Sequence, residues 1–267
     1  MTDEFPPPGT AMMAARKAAF DGRARPEPFD LARFAAQDIR ITADDCTGPA
    51  RAALVEMIVD RLATHPDGSG AGYCLVSGLA ALMPVEGVRK FSAAVFTEVW
   101  ALYRLRSERI ISDRDFYDIE TLTRDGAIPT ELYGSRWSFK PPHADRNGVL
   151  FAHVYGPNGG FGGGDVFLID ALAYTKELGL TFDDAMTWSD DPGAQKPVLR
   201  PEHVQPALSS HGRRFGQLSP DSILFVNNGP EGLLHGATEL AITEEDGFTR
   251  FLHRVVVRER DTQRGGM

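Results

Sequence analysis

The sequence predicts an α+β chain in which a largely helical first half supports a jelly-roll or barrel of short antiparallel strands, with the helices packed on one sheet. Three observations carry this. Before about residue 130 apolar residues recur at helical spacing, and after it they fall in short runs bounded by Gly, Pro and Asn. The second half also lacks the regular strand–helix alternation of a doubly wound fold.

In chain order, residues 1–9 (MTDEFPPPG) are acidic and proline-rich and are expected to be a disordered tail, followed by a single domain over 10–257. The segments AMMAARKAAF and PFDLARFAAQ are good helix material, with Asp30 near the start of the second. IRITADD alternates as a short strand. GPARAALVEMIVDRLATH carries Leu54, Met57, Ile58 and Leu62 on one helical stripe. GYCLVSGL reads as a buried strand, and PVEGVRKFSAAVFTEVWALYRL as a long amphipathic helix, so 10–130 forms the helical support. The jelly-roll part, 131–257, begins at LYGSRWSFK and continues through GVLFAHVYG, GDVFLID, SILFVNN, LLHGATELAI and FTRFLHRVVVRE. Residues 171–215 interrupt it with polar, irregular sequence expected to be an insertion or lid. Residues 258–267 are expected to be a flexible tail.

The chain has 267 residues and a formal net charge of -9, with no concentrated basic face, which argues against a nucleic-acid partner. Its two cysteines, Cys46 and Cys74, form no CxxC pair, so neither a disulfide framework nor a zinc-finger scaffold is expected. No apolar run approaches a membrane span, and the first residues lack the basic and apolar regions of a signal peptide. A cytoplasmic protein with a small-molecule partner, and neither nucleic acid nor membrane, is expected.

Chemistry concentrates in SFKPPHADRNG. In extended chain His143 and Asp145, at i and i+2, point to one face, and the two prolines ahead of them are read as the end of a strand. His235, in NNGPEGLLHGATEL, again lies where a loop meets a strand. Two imidazoles and one carboxylate make a facial triad that suits non-haem Fe(II), and three ligands plus water suit zinc. Arg250 follows His235 by fifteen positions and supplies a planar fork for the far carboxylate of a chelating dicarboxylate; Arg254 is its rival on the same strand face. His153 shares a face with Phe151 and Tyr155 if its strand alternates, and reads as pocket wall. Arg136, Trp137, Tyr155, Asn228 and Glu231 are candidates for contact with substrate. GPNGGFGGGD lacks the ending and the following helix of a phosphate cradle and reads as a hairpin turn. His203 and His211 read as ordinary exposed residues.

HAD, FAHVYG, GGD ending at Asp165, LHG and Arg250 together resemble the Fe(II)/2-oxoglutarate-dependent oxygenases, in particular the bacterial branch that hydroxylates free amino acids, as isoleucine dioxygenase does. The resemblance covers residues 135–257. It implies a double-stranded β-helix (jelly-roll) core, with His143, Asp145 and His235 as iron ligands. It further implies Arg250 as the 2-oxoglutarate anchor; His153, from its place on the pocket wall, is expected to help hold that cosubstrate or to orient a ligand. The implied activity is O2-dependent hydroxylation of a small polar substrate, a free amino acid or a natural-product precursor, releasing succinate and CO2. The carboxylate at Asp145 favours hydroxylation over halogenation, because halogenases of this superfamily have Gly or Ala there. Desaturation, epimerisation and cyclisation use the same ligands, and a cupin-like metalloenzyme without 2-oxoglutarate would keep the triad.

Overall fold

The computed structural model describes residues 37–63, 71–106, 117–124, 140–145, 148–189, 196–229, 233–244 and 247–259, together with Ala14, Lys17 and Ala18. In order these form β1 (Asp38–Arg40), α1 (Gly48–Leu62), β2 (Tyr73–Ser77), α2 (Val85–Arg106), β3 (Tyr117–Arg124), β4 (Lys140–His143), β5 (Gly148–Tyr155), β6 (Phe161–Gly163) and β7 (Val166–Ile169). Then come α3 (Ala171–Glu177), α4 (Phe182–Ala185), β8 (Met186–Trp188), β9 (Pro197–Leu199), α5 (Pro201–His211), β10 (Gly212–Gly216), β11 (Ser222–Asn227), β12 (Leu234–Ala237), β13 (Leu240–Ile242) and β14 (Leu252–Glu259).

Helix α1 starts with a proline in its first turn, where the missing N–H costs nothing. Its apolar positions Leu54, Val55, Ile58, Val59 and Leu62 are buried, while Met57, expected on that stripe, is left partly exposed. Helix α2 buries Val88, Phe91, Val95, Phe96, Val99, Trp100 and Tyr103 at three- and four-residue steps. No helix among the described residues is long and apolar enough to cross a membrane.

Two six-stranded sheets form the body. One has the order β1-β2-β11-β5-β14-β3, antiparallel except for the β1–β2 pair, and the other the order β10-β7-β12-β4-β9-β8, antiparallel throughout. Strand alternation sorts the side chains into layers. On the first sheet Leu150, Ala152, Val154, Ile223, Phe225, Val255 and Val257 join one core with α1 and α2. The opposite face, with Phe151, Leu224, Val226 and Val256, packs on Val166 and Leu168 of the second sheet. Phe167 and Ile169 turn outward to a third core with α3, α4 and α5.

Several expectations need correcting. The strands expected in IRITADD and GYCLVSGL are present as β1 and β2, which extend the first sheet, whereas β3, in YDIETLTR, is an unexpected strand that closes its far edge beside β14. The prolines of KPPH lie inside β4 rather than after a strand. The ladder tolerates them because β4 is paired with β12 irregularly, at Lys140 and His143, and with β9 at His143 alone, so neither proline has to donate. Residues 171–215 are not irregular in their described parts. Their alanines, leucines and aromatics build α3, α4 and α5 over the second sheet, and β8 and β9 lengthen that sheet. Strand β14 runs to Glu259, two residues into the expected C-terminal tail. The glycine-rich segment carries β6, which pairs with β13. A Cβ on Gly163 would come within 2.0 Å of the Glu239 carbonyl oxygen, so glycine there permits a close backbone approach rather than phosphate contact. The first two helix candidates fall largely outside the described residues, as does LYGSRWSF.

Candidate metal centre

Strands β4 and β12 are neighbours, and their register sets His143 directly opposite His235. Asp145 lies two residues past His143, beyond the strand end, while Ala144 between them turns to the outer core. The donor atoms of His143, Asp145 and His235 lie within 4.8 Å of one another, and His143 Nε2 is 3.9 Å from Asp145 Oδ1. The two imidazole rings are tilted at a centroid distance of 4.2 Å, and Phe151 meets His235 edge-on at 4.9 Å.

The protonation states suit a divalent cation. Nδ1 of His143 lies 2.9 Å from the Pro141 carbonyl oxygen. A carbonyl only accepts, so this nitrogen carries a proton, and in the neutral ring Nε2 is the nitrogen left to face the cluster. Burial, together with His143, Arg254 and Lys196, pushes His235 well below the usual imidazole range, against the pull of Asp145. It is therefore neutral, and its buried Nδ1 has no hydrogen-bond partner among the described residues. Burial would raise the Asp145 carboxyl, but Arg254 foremost, together with Lys196, holds it well below the usual carboxylate range. Two imidazoles and a carboxylate gathered this closely are a donor set that fits a divalent metal ion.

Cations flank the carboxylate on both sides. Arg254, on β14 opposite His153, ion-pairs through Nη2 with Asp145 Oδ2 and rests over the Phe151 ring at 4.9 Å. Lys196 Nζ lies 3.4 Å from Asp145 Oδ1. Behind the carboxylate, Asn228 is fully buried. It accepts from the Asp145 N–H at 3.2 Å and donates to the carbonyls of Asp145 at 3.1 Å and Gly148 at 2.5 Å. Asn228, expected to meet substrate, makes these bonds to the turn that carries Asp145. Asn227 is likewise turned inward and donates to Leu62 at the end of α1.

Along β5 the odd-numbered side chains form one wall. His153 stacks on Phe151 at 4.4 Å, and its Nδ1 lies 2.9 Å from the Tyr155 hydroxyl. Burial pushes the Tyr155 phenol up to about 12, against the pull of Arg250 and Arg254. Arg250 precedes β14, whose Leu252 is paired with Tyr155, while Arg254 is engaged with Asp145. Arg136, Trp137 and Glu231 lie outside the described residues. His211, read as exposed, is buried and contacts Glu177 at 3.2 Å, and His203 meets the Tyr174 hydroxyl at 3.0 Å. Lys196 carried no sequence signal, since only the pairing of β9 with β4 brings it to Asp145.

No protein-family model and no curated protein matches the chain by sequence. Among solved structures, an asparagine oxygenase in complex with Fe(II), 2S,3S-3-hydroxyasparagine and succinate aligns at 14% identity over 83% of this chain and 93% of its own, with a TM-score of 0.41. The non-heme iron oxygenase OrfP, in complex with Fe and alpha-ketoglutaric acid, aligns at 12% identity over 83% of this chain and 85% of its own, with a TM-score of 0.42. A bsmA homolog from Methylobium petroleophilum aligns at 15% identity over 64% of this chain, with a TM-score of 0.33, and this chain spans half of its length.

Proposed function

We propose that the chain is a non-haem Fe(II)- and 2-oxoglutarate-dependent dioxygenase. In this reading it hydroxylates an unactivated C–H bond of a small polar molecule, a free amino acid or natural-product precursor, and releases succinate and CO2. The observation that carries the reading is the meeting of His143, Asp145 and His235 across two adjacent strands, with the His235 imidazole neutral and the carboxylate charged. The strand order supports a double-stranded β-helix core. Strands β3, β14, β5 and β11 lie in one sheet and β4, β12, β7 and β10 in the other. The chain therefore crosses between sheets at each step except from β7 to β10.

In this site His143, Asp145 and His235 would hold Fe(II). Bound there, Fe(II) with 2-oxoglutarate and O2 supplies the oxidising power for C–H cleavage. The remaining work falls to the chain. The Pro141 carbonyl fixes the tautomer of His143, and Asn228 holds the Asp145 turn. Phe151, Leu168 and Val256 line the inner core with apolar surface that excludes water. Arg250 is assigned the far carboxylate of 2-oxoglutarate, because a dianion chelated at one end needs a cation at the other. Arg254 is less suited, being neutralised by Asp145. His153, whose Nδ1 meets the Tyr155 hydroxyl, is assigned a part in holding that cosubstrate.

The test is formation of succinate from 2-oxoglutarate under air, with Fe(II) and a panel of free amino acids. Turnover stimulated by one of them and abolished in Asp145→Ala supports the reading. Succinate formation that survives Asp145→Ala would show the triad to be misassigned.

A further inference from the structure

Lys196 is the polar group near the triad for which the proposed reaction has no use. It stands at the base of the β8–β9 excursion. Its carbonyl accepts from the Ser189 N–H at 2.9 Å, its N–H donates to Ser189 Oγ at 3.0 Å, and the next residue, Pro197, accepts from the Ala144 N–H at 3.1 Å. These bonds place the Lys196 backbone against the His143–Asp145 turn. Its ammonium approaches Asp145 from the Oδ1 side, 3.4 Å away, while Arg254 holds Oδ2. The lysine side chain is 35% exposed, against 15% for Arg254, so it reaches the site from the solvent side.

The charge balance changes when a divalent ion takes the carboxylate. One anion then faces Arg254, Lys196 and the metal, and the dianionic cosubstrate is already matched by the metal and Arg250. A surplus of positive charge is left beside Lys196, and a lysine on a flexible stem can turn a few ångströms toward an anion at the open side. We infer that Lys196 is a specificity-determining residue, binding an anionic carboxylate of the prime substrate, and that the substrate class is therefore small molecules bearing a free carboxylate. The inference rests on the oxygenase reading and extends it, since that reading assigns no residue to a charge on the substrate.

The experiment uses calorimetric titration of full-length protein without oxygen, with Mn(II) in place of Fe(II). Titration of 2-oxoglutarate into Mn(II)-loaded protein comes first, and failure of wild-type protein to bind it counts against the oxygenase reading, independently of the substrate titrations. Free amino acids and their matched carboxamides are then titrated. Wild-type protein is expected to bind at least one acid tenfold or more tighter than its amide. In Lys196→Met that preference should shrink to within about threefold, and in Lys196→Arg it should be largely restored, since a charge rather than a shape is being read. An independent readout needs no cosubstrate. Lys196→Met should tighten Mn(II) binding by about threefold to tenfold, because a competing cation beside Asp145 is removed. Equal binding of acids and amides, no acid bound by wild-type protein, or an unchanged preference in Lys196→Met would each overturn the inference.

Discussion

Replacement of Asn228 by alanine separates a bracing role from a substrate contact. The side chain is 0% exposed and spends three hydrogen bonds on the backbone of Asp145 and Gly148. Alanine strands a buried N–H and two carbonyls, each costing roughly 1–3 kcal/mol when unpaired, so a loss of about 3–5 kcal/mol is expected after partial relaxation. At roughly 2–4 °C per kcal/mol the melting temperature should fall by about 10 °C. The released turn carries Asp145, so divalent-metal affinity should also drop, by about 10–100-fold, as it does when outer-shell partners of a metal ligand are removed. Thermal denaturation and Mn(II) calorimetry on the variant and wild type measure both effects. Asn228→Asp keeps the shape but points an acceptor at two carbonyls, and should be no better than alanine. A variant with wild-type melting and metal affinity, altered only in KM for its substrate, would refute the brace and restore Asn228 to the substrate wall.

Two further outcomes follow from the charges. Arg250→Ala should weaken 2-oxoglutarate binding by about 30–100-fold, the loss of charge-assisted hydrogen bonds worth roughly 2–3 kcal/mol. Arg254→Ala should weaken it only a few-fold, and the opposite ranking by calorimetry would move the anchor. Burial lowers the His211 pKa below its ordinary 6.5, against the nearby Glu177 and Asp170 carboxylates. The unfolded chain then takes up a proton more readily than the folded one as pH falls below about 6.5. His211 therefore contributes stability that is fully present above that value and lost as pH falls toward its folded-state pKa. Urea midpoints measured from pH 7.5 to pH 5 should decline less steeply in His211→Gln than in wild-type protein.

Local pattern made much of this site legible. His143 and Asp145 at i and i+2 share a face because extended chain alternates, and Ala144 between them faces the outer core. The apolar runs around Phe151, Phe167, Phe225 and Val256 became strands for the same reason. Strand β3 was hidden because YDIETLTR scatters charge along an edge, where only one neighbour, β14, is needed. Strand β4 was hidden because its prolines read as a stop. They are tolerated only through the sparse pairing of β12 and β9, which no local window contains. Asn228 and Lys196 lie 83 and 51 positions from Asp145, and their roles come from sheet register and from the β8–β9 excursion. His211 looked exposed because helix α5 reads as polar, yet its ring is turned into the packing around Tyr174.

The central claim is that His143, Asp145 and His235 hold Fe(II) in a form that 2-oxoglutarate chelates. Anaerobic titration of full-length protein with Fe(II) and then 2-oxoglutarate, followed by visible absorbance, tests this most directly. The account predicts a weak visible charge-transfer band that saturates at one iron and one 2-oxoglutarate per chain and is lost in His235→Ala. Iron binding without such a band, or a band of equal strength in His235→Ala, would contradict it.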